Sequence, residues 1–165
     1  MLDYRIFENM QEDKHPGESE QEKMERVFRT VTAEIEESLR PGQPEPKLNE
    51  RMEPVFQSCN STARELTLDY QVRRWMLNPG DKVHGGILTT ACDLTMGMLT
   101  RYCWKCQSLV TAQLSMSFMR NIGEGGTFRV CAHVEKAGRR TVFTRAEVTD
   151  AADGKLLAEA TALFM

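Results

Sequence analysis

The sequence predicts an α+β domain: an antiparallel β-sheet wrapped around a central α-helix, preceded by a helical extension. Three patterns carry this reading. Five runs alternate apolar and polar residues with period two, one segment is apolar nearly all round, and one earlier segment carries a single apolar stripe at helical spacing. With 165 residues, the chain has the length of about one domain.

The N-terminal part reads as a charged tail and then a helix at about 19–40, the whole forming an extension over residues 1–49. Ser19 with Glu22 fits a capping box. Met24, Val27, Phe28, Val31, Ile35 and Leu39 then recur at steps of three and four, and Pro41 and Gly42 stop the helix. From residue 50 to 165 the chain reads as the main domain. A short strand near 53–59 precedes one with Leu66, Leu68, Tyr70 and Val72 on its apolar side. Four more follow, led by Val110–Ala112–Leu114–Met116–Phe118, then Phe128 to Val134, Val142 to Val148 and Leu156 to Phe164. This alternation puts Thr111 on the polar face. Short links between consecutive strands predict a meander. Residues 84–104 are too long for a strand and read as a helix buried on every side by the sheet.

Composition narrows the function. Charged residues are 27% and hydrophobic ones 41%, as in ordinary soluble domains. No apolar run reaches the roughly 18 residues of a membrane helix, and the first residues do not read as a secretory signal. A cytoplasmic protein is expected. Residues 1–60 hold 8 basic and 14 acidic side chains; the remainder hold 13 and 10. That mildly basic body lacks the concentrated stripe of a nucleic-acid binder. The five cysteines, Cys59, Cys92, Cys103, Cys106 and Cys131, are expected as reduced thiols. The CxxC at Cys103 and Cys106 has no second ligand pair at zinc spacing.

Asp93 is the one side chain charged at neutral pH between His84 and Arg101. A carboxylate in apolar surroundings is costly unless paired or hydrogen-bonded. It is a structural acceptor, a group facing a cleft or subunit interface, or a catalytic carboxylate. Gly85 and Gly86 stand in the first helical turn, where backbone N–H groups lack intrahelical partners and the dipole is positive. They serve either a tight entry turn or a ligand approaching the backbone, where an N–H stabilises an oxyanion. Asp93 lies nine residues after His84, about 13–14 Å along a helix. One helix therefore cannot bring both groups to one carbon. A second, antiparallel copy can, which predicts a homodimer with shared sites.

The segment from Asn78 through Gly80 and His84-Gly85-Gly86 to Leu88, with Asp93 nine positions after His84, resembles the hotdog-fold acyl-CoA thioesterases. The nearest branch is that of the phenylacetate-pathway enzymes and thioesterase superfamily member 2. The stretch from His133 to Asp150 and the final strand resemble it too, so the likeness covers about residues 50–165. The resemblance implies a hotdog fold and hydrolysis of acyl-CoA to free acid and coenzyme A. It implies Asp93 as general base or nucleophile and Gly85 as the N–H that polarises the thioester carbonyl. Asn78 would help position substrate or water, and Thr111 would help hold the water. His84 and Gly86 would shape the substrate pocket. The resemblance also places Asn and Gly on one subunit and the carboxylate on its neighbour. Arg139, Arg140 and Arg120 are candidates for the nucleotide phosphates. Coenzyme A enters as part of the substrate, with no metal or other cofactor expected, and a homodimer or homotetramer is the expected assembly. The alternative is a non-catalytic acyl-CoA binder or sensor on the same fold.

Overall fold

The computed structural model describes residues 15, 17–104 and 108–165. The tail before residue 15 and Cys106 of the CxxC lie outside the described residues. Among the described residues, three α-helices, α1 (Glu20–Ser38), α2 (Leu48–Arg51) and α3 (Gly85–Trp104), and a short 3-10 turn at Arg74–Met76 accompany six strands. The strands are β1 (Val55–Asn60), β2 (Glu65–Gln71), β3 (Thr111–Phe118), β4 (Thr127–Ala137), β5 (Val142–Asp150) and β6 (Leu156–Phe164). They form one antiparallel sheet in the order β1-β2-β4-β5-β6-β3, with α3 packed against it. This is the hotdog architecture.

The helices form where their sequence signals stand. Ser19 caps α1 by accepting from Glu22 N–H at 3.3 Å, and Glu22 Oε2 accepts from Ser19 N–H at 2.8 Å. Met24, Val27, Phe28, Val31 and Ile35 are buried in the same core cluster as Leu66, Leu68 and Tyr70. Each such side chain contributes about 1.5–3 kcal/mol of gross hydrophobic stabilisation. Tyr102 of α3 ties α1 down, donating from its hydroxyl to Glu20 at 2.7 Å while its ring lies 5.4 Å from that of Phe28.

Two expectations change. The last four strands are not a simple meander: β4, β5 and β6 are consecutive neighbours, but β3 pairs with β6 at the far edge. The link from 119 to 126 is long enough to pass two intervening strands, about 14 Å at sheet spacing. Nor is α3 covered all round. Leu88, Ala91, Cys92, Leu94, Thr95, Met96, Met98 and Leu99 are buried, whereas Thr89, Thr90, Asp93, Gly97 and Arg101 are partly open along one face. The sheet of one chain curves around the helix without closing over that face. Its edge strand β3 is likewise uncovered, with Val110 just before it 55% exposed and Phe118 54% exposed.

Within the body, the Thr95 hydroxyl of α3 is satisfied locally, whereas the buried Thr100 hydroxyl has no hydrogen-bond partner among the described residues. Thr95 Oγ1 donates to Ala91 O at 2.8 Å and meets the Tyr70 hydroxyl at 2.8 Å. Tyr70 stacks on Phe128 at 5.2 Å, so a hydroxyl network and an aromatic pair lock α3 to β2 and β4. None of the described helices is long and apolar enough to cross a membrane.

Candidate active site

The loop before α3 builds one half of the site. Asn78 Oδ1 accepts from Gly80 N–H at 2.9 Å and Lys82 N–H at 3.3 Å, folding residues 78–82 into a tight turn. Asp81 takes a left-handed φ of 55° there, a conformation short polar residues tolerate. The Asn78 side-chain oxygen is thus spent on the loop, which leaves its amide N–H groups for the adjoining cavity. His84 then starts α3: its N–H donates to Met76 O at 2.8 Å, and its Nδ1 accepts from Gly86 N–H at 2.9 Å. An accepting Nδ1 carries no proton, so the ring N–H is on Nε2. His84 acts as a cap that orients the first turn.

That cap uses Gly86 N–H and leaves Gly85 N–H without an acceptor among the described residues. A Cβ at Gly86 would come within 3.1 Å of His84 Nδ1, and one at Gly85 within 3.2 Å of the Phe118 ring. Both glycines therefore have a steric reason as well as a chemical one. Gly85, Asn78, Arg120, Asn121, Phe118 and Leu88 line a cavity of about 150 Å³. Arg120 is exposed at its rim.

The other half lies farther along α3. Thr111 Oγ1 donates to Asp93 Oδ1 at 2.7 Å. A β-bulge makes this contact. Thr111 pairs with Phe164 and Gln113 with Leu163, so Ala112 is skipped, and Thr111 turns to the same face as Phe164, towards α3. The period-two expectation that placed Thr111 on the outer face is therefore corrected. Asp93 and Thr111 line a cavity of about 210 Å³ with Leu94, Gly97, Met98 and Arg101 of α3, Leu109, Phe164, and Asn49 of α2. Burial pushes the neighbouring Cys92 thiol up to about 12, with the Asp93 charge adding to the effect.

The structure thus brings Asn78, Gly85 and Arg120 to one cavity and Asp93 and Thr111 to another. Gly85 and Asp93 are eight residues apart, about 12 Å along the helix. Arg139 and Arg140 join neither group. They are exposed beside the Gly138 turn, whose carbonyl accepts from Trp104 Nε1 at 3.2 Å at the opposite end of α3. Sequence reasoning missed Phe118, which covers Gly85, and Asn49 and Arg101, which wall the Asp93 cavity. Arg101 sits eight residues after Asp93 on one helix face, a spacing that signals it; nothing in the sequence marks Asn49. A larger cavity of about 450 Å³ lies between α1 and β1, lined by residues that include Arg29, Phe56 and Arg73. It contains none of the expected site residues.

Residues 80–157, which hold the Gly85 turn, Asp93 and Thr111, match the thioesterase superfamily. A phenylacetic acid degradation-related protein from Ralstonia eutropha JMP134 is 30% identical, with a TM-score of 0.64 over 79% of this chain and 98% of that one. The chain belongs to the thioesterase superfamily. Thioesterase superfamily member 2 of zebra fish shares the fold, with a TM-score of 0.66 at 20% identity over 84% of this chain and 94% of that one. Among curated relatives, acyl-coenzyme A thioesterase THEM4 of Xenopus laevis is 31% identical over 113 residues. That match takes in 67% of this chain and 50% of the relative. The chain spans about half the length of the curated relatives it matches.

Proposed function

We propose that this superfamily member hydrolyses acyl-CoA thioesters in sites completed by a second copy of the chain. The observation that carries the reading is the division of the site. An oxyanion-type donor at one end of α3 and a hydrogen-bonded carboxylate about 12 Å farther on each open into a separate half-cavity. The uncovered faces of α3 and β3 give a second copy a place to bring the missing half. The similarity to a relative named as an acyl-coenzyme A thioesterase supports the substrate class.

In the proposed reaction the thioester oxygen meets Gly85 N–H, reinforced by the positive end of α3. Asp93 of the other copy, held through Oδ1 by Thr111, uses Oδ2. As general base it takes a proton from water while the hydroxide adds to the carbonyl carbon. The C–S bond then breaks, the free acid forms, and coenzyme A leaves as a thiolate that takes up the proton. As nucleophile, Oδ2 adds directly, expels the thiolate and gives an anhydride that water opens. Neither route needs a metal or a cofactor beyond the coenzyme A of the substrate. Arg120, at the Gly85 rim, is the arginine placed to meet an anionic part of the substrate. Residues 50–165 would form the catalytic unit and 1–49 its extension.

The test is thiol release from a panel of aliphatic and aromatic acyl-CoAs, comparing wild type with Asp93→Asn after both are shown to fold. The expected drop is about a hundredfold or more. Undiminished turnover in the variant would remove Asp93 from the chemistry. Acyl-CoA binding without turnover in the wild type would leave a binding protein instead.

A further inference from the structure

The outer face of the sheet, turned away from α3, carries a side-chain cluster that this reaction does not use. The outward positions of β4 include Cys131 and His133, two residues apart on one strand. Glu65 of β2 stands directly opposite His133 in the antiparallel register. Cys131 Sγ lies 3.5 Å from His133 Nε2, and His133 Nδ1 lies 3.4 Å from Glu65 Oε2. Thr67 stands directly opposite Cys131 in the same register. One donor atom from each of Glu65, Cys131 and His133 can be chosen so that all three lie within 4.8 Å of one another.

We propose that Glu65, Cys131 and His133 form a binding site for a divalent transition-metal ion of the zinc type. The first argument is donor chemistry. A thiolate, an imidazole and a carboxylate suit zinc, whereas calcium and magnesium prefer all-oxygen shells. The second is geometry. Tetrahedral zinc with bonds of about 2.3 Å to sulfur and 2.0 Å to nitrogen sets those two atoms about 3.5 Å apart, which is the spacing found here. The third is rigidity. Positions i and i+2 on one strand and a cross-strand position on its neighbour point the same way from a continuous ladder, so the donors converge without a loop to order. The side chains of His133 and Glu65 are 19% and 30% exposed, enough for an ion to enter and for water to fill a fourth position.

The neighbouring cation is already paired. Arg145 of β5 stands opposite His133, but its guanidinium is paired with Glu135 and Glu147. Metal entry releases the Cys131 proton to solvent and puts the cation on the thiolate. The ion would clamp β2 to β4 on the face opposite the proposed active site.

The experiment uses the untagged full chain, stripped of metal, with zinc chloride and cobalt chloride as probes. Wild type should bind one equivalent, and cobalt should give the intense near-ultraviolet band of a thiolate ligand. Cys131→Ser should abolish that band. His133→Ala and the conservative Glu65→Gln should each weaken binding by at least about tenfold, the cost of losing even an outer-shell partner. Thiol release from acyl-CoA reports that each variant is folded. The absence of stoichiometric binding in wild type would overturn the proposal. So would binding that survives Cys131→Ser and disappears with Cys103→Ser, because it would assign the metal to the CxxC.

Discussion

Thr111→Val tests the proposed active site at one hydrogen bond. The two side chains are nearly the same size, so the substitution removes a hydroxyl without opening space. The lost contact is the 2.7 Å bond to Asp93 Oδ1. A hydrogen bond to a charged group contributes about 1.5–3 kcal/mol, which converts to about 10- to 150-fold in rate. Thr111 is exposed in the single chain. Solvent competition there favours the tenfold end, and cover by a second copy favours the upper one. The assay is steady-state thiol release with kcat and KM resolved. The expected result is a fall in kcat with KM little changed, because Thr111 touches the carboxylate rather than the substrate. Thr111→Ser keeps the hydroxyl and should stay close to wild type. A kcat for Thr111→Val equal to that of wild type, or a loss in Thr111→Ser as large as in Thr111→Val, would refute the positioning role.

Gly85→Pro deletes the unpartnered N–H, and turnover should fall by about 10²–10³-fold; Gly85→Ala keeps the N–H while making the same 3.2 Å approach to the Phe118 ring, so it reports the steric part alone and should lose less. Co-expression of Gly85→Pro with Asp93→Asn should restore activity in mixed dimers, each holding one intact site, although either variant alone is nearly inactive; no restoration would argue against shared sites. Ser19→Ala removes the α1 cap and should lower unfolding stability by about 1 kcal/mol in urea titration, leaving kcat unchanged. Burial holds the Cys92 thiol protonated up to about 12, against an ordinary value of 9.0. The unfolded chain therefore gives up that proton first, so this contribution to stability is complete below pH 9 and is lost as pH rises towards 12. Cys92→Ala should flatten that decline between pH 9 and 11, whatever its effect on absolute stability.

The elements were legible where one pattern ruled a whole segment. Capping and a three-four stripe placed α1, and uninterrupted alternation placed β2, β4, β5 and β6. Failures came where structure departs from its own period. The bulge at Ala112 shifts the face of Thr111, the one β3 residue before it, and no residue type announces a bulge, so alternation alone puts Thr111 on the wrong side. Strand order was hidden for a related reason: the 119–126 link has the composition of a turn but the reach of a crossover. At the site, Asp93 stood out because a lone charge in an apolar helix is expensive, and the glycines stood out through spacing. Phe118 did not, because an aromatic residue on an alternating strand reads as ordinary core. Its role as the cover of Gly85 depends on β3 lying at an edge of the sheet, with no further strand beyond it among the described residues.

The direction of α3 explains why the site is divided and where the proposed pairing must cross. The helix gathers its positive potential at Gly85, the place for a developing negative oxygen. A carboxylate in the same turn would compete for that N–H and occupy the oxyanion position. Setting Asp93 eight residues away avoids the conflict but separates base from donor by about 12 Å. An antiparallel second helix resolves both demands, because its Asp93 approaches the Gly85 end while its own first turn stays distant. For the two pairs to be equivalent, the two-fold axis must pass near the midpoint of residues 85 and 93, at Thr89. The side chains on the open face around that level are Thr89 and Thr90, each donating its hydroxyl back to a carbonyl of its own helix at 2.9 Å. Their outer surfaces are then short and apolar, which suits a close helix crossing and leaves no hydroxyl unpaired when water is excluded. The same geometry leaves Gly97 and Arg101 beyond the crossing, on the wall of the Asp93 cavity, so the residues that would bring two copies together under this proposal and those that wall the cavity occupy one continuous face of α3.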